Sequence, residues 1–379
     1  MYQITSNGGN LAPAEFDFRS DIVTVPTQEM LDAVLTTTFK DDVYREDKMT
    51  ENFQAEMASL TGHEDGIFML SGTMSNQLGL RALLMQPPYS VLTDSRGHIV
   101  HYEAGGLASL TGASLQPVLA SNGKYLTLED IQAKAILDEY VQYSPTRVIS
   151  LENTLNGLVM PLEEVRRISS WAHQNGIKMH LDGARLWDAV VAGAGSLFEY
   201  AQEFDTVNLC FSKGLGAPLG SVLVGSKKTI AAARKIRQSI GGGMHQAGVL
   251  TAMARVSVRA TFGTGADGKG SLLARSHQNA LHIAELWVRS GGKLLGPTET
   301  CMVFLDIKDA GISRSRLEEL SAQHGLVIKN ERLVVHYRVS LKSKVDDFPL
   351  TTSQKFPMKL SVESKVYSQL SLKGRCQRR

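Results

Sequence analysis

Three short segments of this 379-residue chain carry residue types that could act together. Ser71-Gly72-Thr73 follows the apolar run Ile67–Leu70 and precedes a helical pattern. Backbone N–H groups at a helix start, beside a glycine that permits close approach, can hold an anion; an ordinary helix cap fits the same residues. Asp182-Gly-Ala-Arg185 follows Ile177–Leu181. A carboxylate at the end of a buried strand faces a cleft, where it can pair with a cation or a protonated ring nitrogen, and Arg185 could grip a carboxylate with its planar fork. A structural Asp–Arg pair is the plainer alternative. Ser212-Lys213-Gly214 follows Thr206–Phe211, with Gly216 and Gly220 beyond it. Partial desolvation there favours the neutral, nucleophilic amine of Lys213, although an isolated lysine is more often a surface residue. His98 and His101 sit after the run Val91–Asp94, and Gly241-Gly-Gly-Met-His245 borders a basic helical stretch, Lys227–Arg237. Each has a bland reading, as a packed histidine or a turn on a solvated face. The glycine loop could also make a second phosphate contact across a subunit boundary.

Taken in order, an anion site after one strand, an acid after a second and a Gly-flanked lysine after a third match what pyridoxal 5'-phosphate requires. The lysine forms a Schiff base, the acid keeps the pyridine nitrogen protonated so that the ring acts as an electron sink, and the Gly/Thr turn takes the phosphate.

Those residues must be positioned by the elements around them. From Gly66 to Val224, short apolar runs alternate with helical patterns, such as Leu162, Val165, Ile168 and Trp171 before Gly176. This alternation predicts an α/β fold with a mostly parallel sheet covered on both faces, which binds ligands beyond the carboxyl ends of its strands. The Gly-rich stretch 262–271 reads as a linker into a smaller α+β unit: helix Leu272–Arg289, strand Cys301–Ile307, helix Arg314–His324 and strand Arg332–Val339. The expected organisation is a mobile arm (1–15), a large domain (16–262), a small C-terminal domain (263–340) and a poorly ordered basic tail (341–379).

Forty basic and thirty-eight acidic side chains sum to +2, which argues against a nucleic-acid binder. No apolar run is long enough to span a membrane, and the first residues lack a signal-peptide pattern. Cys210, Cys301 and Cys376 are too scattered for a disulfide framework or a zinc site; no metal is implied, and a cytoplasmic setting is expected. The tail 341–379 holds nine Lys/Arg and three Asp/Glu, +6, so the preceding 340 residues sum to −4.

The chain resembles the fold-type I pyridoxal-phosphate L-threonine aldolases in their fungal form, over about residues 16–340. The matching segments include Asp17–Asp21, Asp41–Tyr44, Ser71–Gln77, His98–Gly106, Leu151–Gly157, His180–Leu186, Phe211–Ser221 and Gly241–Gly248. The resemblance implies Lys213 as the Schiff-base lysine, Asp182 as partner of the pyridine nitrogen, and His98 as the imidazole stacked on the ring near the substrate hydroxyl. It implies Gly72 and Thr73 as phosphate ligands, with Ser212, Arg185 and His245 also lining the cofactor. Ser20, Arg185 and Arg332 would grip the substrate carboxylate, and Tyr44 would reach a neighbouring subunit's site in a homodimer or homotetramer with shared active sites. Where bacterial members carry histidine this chain has Leu155, and where the family usually has arginine after the three glycines it has His245. The implied activity is retro-aldol cleavage of L-threonine to glycine and acetaldehyde, with amino-acid racemisation on the same scaffold as the alternative, since fungal members are known to work that way.

Overall fold

The computed structural model describes residues 14–263 and 271–339. Nearly all of the expected arm, most of the linker and the basic tail lie outside the described residues. Seven strands form one sheet: β1 (Asp65–Met69), β2 (Ser90–Asp94), β3 (Ser114–Val118), β4 (Thr146–Glu152), β5 (Lys178–Asp182), β6 (Thr206–Cys210) and β7 (Ser221–Gly225). Their order is β1-β7-β6-β5-β4-β2-β3. Only β7 runs against the rest, pairing antiparallel with both β1 and β6. The fold is therefore α/β with a mostly parallel sheet, as expected.

Alternate side chains of the central strands enter different cores. Phe68, Val222 and Ile149 point into the main cluster with Trp187, Phe211 and Tyr200. Ile67, Met69 and Leu223 join Leu78 and Ile230 on the other face, and Val91 and Val148 join Leu80 and Ile99. A strand buried on both faces has no polar alternation to show, which is why these segments read as continuous apolar runs. β3 escaped that reading because Ser114-Leu-Gln-Pro-Val is partly exposed and holds a proline. It lies at the sheet edge, where the missing N–H of Pro117 costs no ladder bond.

The second cluster joins Ile283, Ala284 and Trp287 of helix Leu272–Arg289 to Val303, Leu305, Leu333 and Val335. Here β8 (Met302–Phe304) pairs antiparallel with β9 (Arg332–Val334). The regular strand ends at Val334, short of the expected Val339. Phe18 packs in this cluster, and its backbone bonds Val327 O and Val334 N, each at 2.9 Å. The first described residues thus lie against the C-terminal strands, which brings residues 19–21 beside Arg332.

Candidate active site

The residues singled out after β1, β2, β5 and β6 share the carboxyl end of the sheet. At the end of β5, Asp182 is 3% exposed. Its Oδ1 accepts from Ala184 N (3.1 Å) and Asn208 Nδ2 (3.1 Å), and its Oδ2 from Asn76 Nδ2 (2.7 Å). Asn76 projects from helix Gly72–Leu83, the element that follows β1. Its amide donates to both Asp182 and Glu103 Oε1 (2.9 Å), and its carbonyl accepts from Asn208 Nδ2 (3.0 Å). Burial drives the pKa of His180 down to about 4, so its ring is neutral. With Asn76 Oδ1 an acceptor, His180 donates from Nε2 (3.2 Å) and takes the Thr206 hydroxyl at Nδ1 (2.9 Å). Two carboxylates face Asn76 Nδ2 and can only accept, so that end of its amide must be the donor.

His98 opens the short helix His98–His101 after β2. Its Nδ1 meets Glu103 Oε1 at 2.9 Å, and its backbone N–H donates to Glu152 Oε2 at 2.8 Å. The hydrogen bond with Glu103 raises the His98 pKa against the effect of burial. Glu152 lies beside Asp182 in the β4–β5 register. Burial, and then the Asp182 charge, push the Glu152 carboxyl up to about 7.

Lys213 is half-buried in the turn between β6 and β7. It is near enough for its charge to weigh on Asp21, His98, Glu152 and Cys210. Gly216 N closes the turn on Lys213 O at 2.9 Å. Gly216 has φ +86°, and a Cβ there would meet Tyr337 Oη at 2.4 Å, so the turn needs glycine. Gly72 is required for a different reason: a Cβ would lie 2.6 Å from Cys210 Sγ, so the helix start is pressed onto the end of β6. Ser71 caps that helix through Met74 N (3.1 Å). The Gly72 and Thr73 amides have no acceptor among the described residues.

This donor set fits pyridoxal phosphate. Asp182, held by three donors, is an acceptor suited to a protonated ring nitrogen. The helix-start amides suit a phosphate, and Lys213 supplies an amine. Ser212 adjoins Lys213 and is partly buried.

On the other side, Arg185 is bound by Asp21, Nε to Oδ2 at 2.8 Å and Nη2 to Oδ1 at 2.7 Å. Burial works against its charge, and Asp21 more than offsets that, raising its pKa. Ser20 caps the turn Asp21–Val23 through Ile22 N at 3.4 Å. Arg332 Nη2 reaches Arg19 O at 3.4 Å, while its Nε is buried with no partner. Residues 19–21 therefore touch both arginines. Tyr44 and His245 are not joined to this group. Tyr44 is 77% exposed, its N–H on Asp41 Oδ1, and the His245 ring is paired with Asp41 Oδ2.

The motif reading gave no role to Asn76, Asn208, Glu103, Glu152 and Asp21, although all but Asn208 lie in the segments that match the family. Asn208 had a signal, as an amide inside the apolar run Thr206–Cys210, and Glu152 ends a buried strand as Asp182 does. The others are visible only once their partners are in place.

Comparison with known proteins identifies the family. A family model described as beta-eliminating lyase matches residues 17–310. The chain is 54% identical to the aldolase vrtJ of Penicillium aethiopicum, over 86% of this chain and 83% of that protein. It is 46% identical to the alanine racemase TOXG of Cochliobolus carbonum (88% and 86%) and 45% identical to the low-specificity L-threonine aldolase of Candida albicans (86% and 86%). In structure it is similar to Leishmania major threonine aldolase, TM-score 0.72 at 19% identity (86% and 95%), and to Sphingomonas wittichii serine palmitoyltransferase, TM-score 0.64 at 15% identity (87% and 84%). The chain therefore belongs to the beta-eliminating lyase family, and it is a pyridoxal-phosphate-dependent lyase.

Proposed function

We propose that this enzyme cleaves L-threonine and related β-hydroxy-α-amino acids to glycine and an aldehyde by breaking the Cα–Cβ bond. The supporting observation is a single imidazole placed beside the acid and the amine: atoms of His98, Glu103 and Asp182 lie within 4.8 Å of one another, and Lys213 acts on both His98 and Glu152.

When bound, pyridoxal phosphate supplies an electron sink for the pair released at Cα. Lys213 would hold the cofactor through its side-chain amine. Gly72, Thr73 and Ser212 would hold the phosphate. Arg332 offers its unpartnered Nε to the substrate carboxylate; Ser20 and Arg185 connect to it through the segment Arg19–Asp21 and complete the carboxylate side. Fixing the carboxylate would limit the orientations the substrate can take in the site. His98 takes the β-hydroxyl proton directly or through a water. Asp182, held in place by Ala184, Asn208 and Asn76, would favour a protonated ring nitrogen without rearranging.

A second reading, amino-acid racemisation, is favoured by the 46% identity to a protein named alanine racemase. Incubation of the purified enzyme with L-threonine and, separately, with L-alanine decides between them. Acetaldehyde release supports the aldolase. D-alanine formation without acetaldehyde replaces it with the racemase.

We also propose a homodimer or homotetramer with shared sites. Ile22, Leu31, Leu35, Phe39 and Tyr44 form an exposed apolar run near the site segments. In that assembly Tyr44 and His245 serve a neighbouring subunit's site, which accounts for their separation from Lys213 within one chain. Light scattering that returned the mass of one chain would remove this proposal. A cytoplasmic setting belongs to the same reading; among the described residues no helix is long and apolar enough to cross a membrane.

A further inference from the structure

Beneath His98 lies a carboxylate that the reaction above does not use. The Glu103 side chain has no exposed surface. Its Oε1 faces His98 Nδ1 and Asn76 Nδ2, both at 2.9 Å, and its Oε2 receives only a longer bond from Gln77 Nε2, 3.4 Å. Among the described residues no lysine or arginine pairs with it, so His98 is the one partner that can bring it a positive charge.

The backbone around Glu103 is held with equal care. Ala104 adopts φ 50° and Gly105 φ 70°. A non-glycine residue stays in the left-handed region only where its surroundings impose it, and such positions gather at functional sites. At Gly106 a Cβ would come within 2.0 Å of Gln77 Nε2, so this turn is pressed against the side chain that also touches Glu103. His98 is gripped at both ends, its backbone N–H by Glu152 and its ring by Glu103.

We propose that Glu103 is a positioning residue: it keeps the His98 proton on Nδ1, leaves the Nε2 lone pair open to the substrate β-hydroxyl, and stabilises the imidazolium that forms when that proton arrives. This rests on the aldol reading. The logic is that of any carboxylate–imidazole pair, in which the acid selects the tautomer and does not itself exchange the proton. Asn76 bonds Glu103 and Asp182 with the two hydrogens of one amide, so the imidazole and the ring-nitrogen site share one support. The charges facing His98 are Glu103 from its own loop, Asp182 from β5, Glu152 from β4 and Lys213 from the β6–β7 turn. Glu103 and Asp182 favour a charged ring, and burial and Lys213 oppose it.

The test compares Glu103→Gln and Glu103→Asp with the unaltered, cofactor-loaded enzyme. One readout is the pH profile of kcat/KM for L-threonine. The other, measured without substrate, is the rate at which diethyl pyrocarbonate modifies the His98 peptide across pH, followed by mass spectrometry. In Glu103→Gln the acid limb and the modification midpoint should both move to lower pH by about one unit, the usual scale of such perturbations. In the same variant kcat should fall roughly 10²-fold or more while KM changes little. Glu103→Asp should recover part of both. If kcat falls in Glu103→Gln while limb and midpoint stay where they were, Glu103 is only structural and the proposal is overturned. If no β-hydroxy amino acid is cleaved but the midpoint still moves, the aldol reading fails and the pairing of Glu103 with His98 stands.

Discussion

Around Asp182 the amide groups are all engaged: Asn76 uses both hydrogens and its carbonyl, Asn208 and the Ala184 amide complete the set, and a neutral His180 closes it from below. Around Arg332 the arrangement is open. Its Nε is buried without a partner, and Nη2 has only a long bond to Arg19 O. A buried donor without an acceptor is costly, so the open side is where a ligand gains most by arriving. The closed side needs nothing from a ligand to hold its shape. On the proposed function, the first region is organised in advance for the cofactor and the second keeps capacity for a substrate carboxylate.

Substitutions on the two sides should therefore fail differently. Asp182→Asn should have the largest effect, lowering kcat by roughly 10²–10³-fold, the scale of losing one preorganised electrostatic group, and altering the visible spectrum of the bound cofactor. A kcat within tenfold of the parent would mean that Asp182 does not act on the ring. Arg332→Ala should raise KM for L-threonine about tenfold to hundredfold with a smaller change in kcat, since a charge-assisted hydrogen bond contributes about 1.5–3 kcal/mol. A pure kcat defect there would erase the contrast between the two sides.

Asn76→Ala sharpens the comparison through stability. It strips one donor from each of two buried carboxylates and should lower unfolding free energy by about 1–3 kcal/mol in denaturant titrations. A cost near zero would show that the floor is not held together as described.

The smallest effect concerns Glu152. Its pKa is raised from 4.5 to about 7 by burial and then by Asp182. A raised acid supports the fold while protonated, so that support is complete below 4.5 and is lost as pH rises through about 7. With the cofactor removed, Glu152→Gln should therefore gain stability relative to the parent across that window. Thermal midpoints measured from pH 4.5 to 7.5 check the sign, and a parallel pair of curves would contradict it.

Much of the scaffold was legible. β1, β2, β4, β5, β6 and β7 each appear as an apolar run, because strands buried on both faces must be apolar throughout. Helix Leu272–Arg289 appears at its actual bounds, and Ser71–Thr73, Asp182 and Lys213 stand where the strands end. β3 was hidden by Pro117 and an exposed face, and β9 is shorter than its apolar run suggests. Asn76 and Glu103 gave no local sign, since an amide on a helix and an acid after a histidine are commonplace until their partners are known.

The sequence by itself determined the order of elements and which residues end the strands, because burial periodicity and turn chemistry act over a few neighbouring positions. Only the tertiary structure decided the pairing. Asn76 meets Glu103 across 27 positions and Asp182 across 106, and Arg185 meets Asp21 across 164. Such contacts depend on where the packed sheet delivers each side chain. The same packing makes the floor closed and the Arg332 side open, and it ties His245 to Asp41 instead of to Lys213.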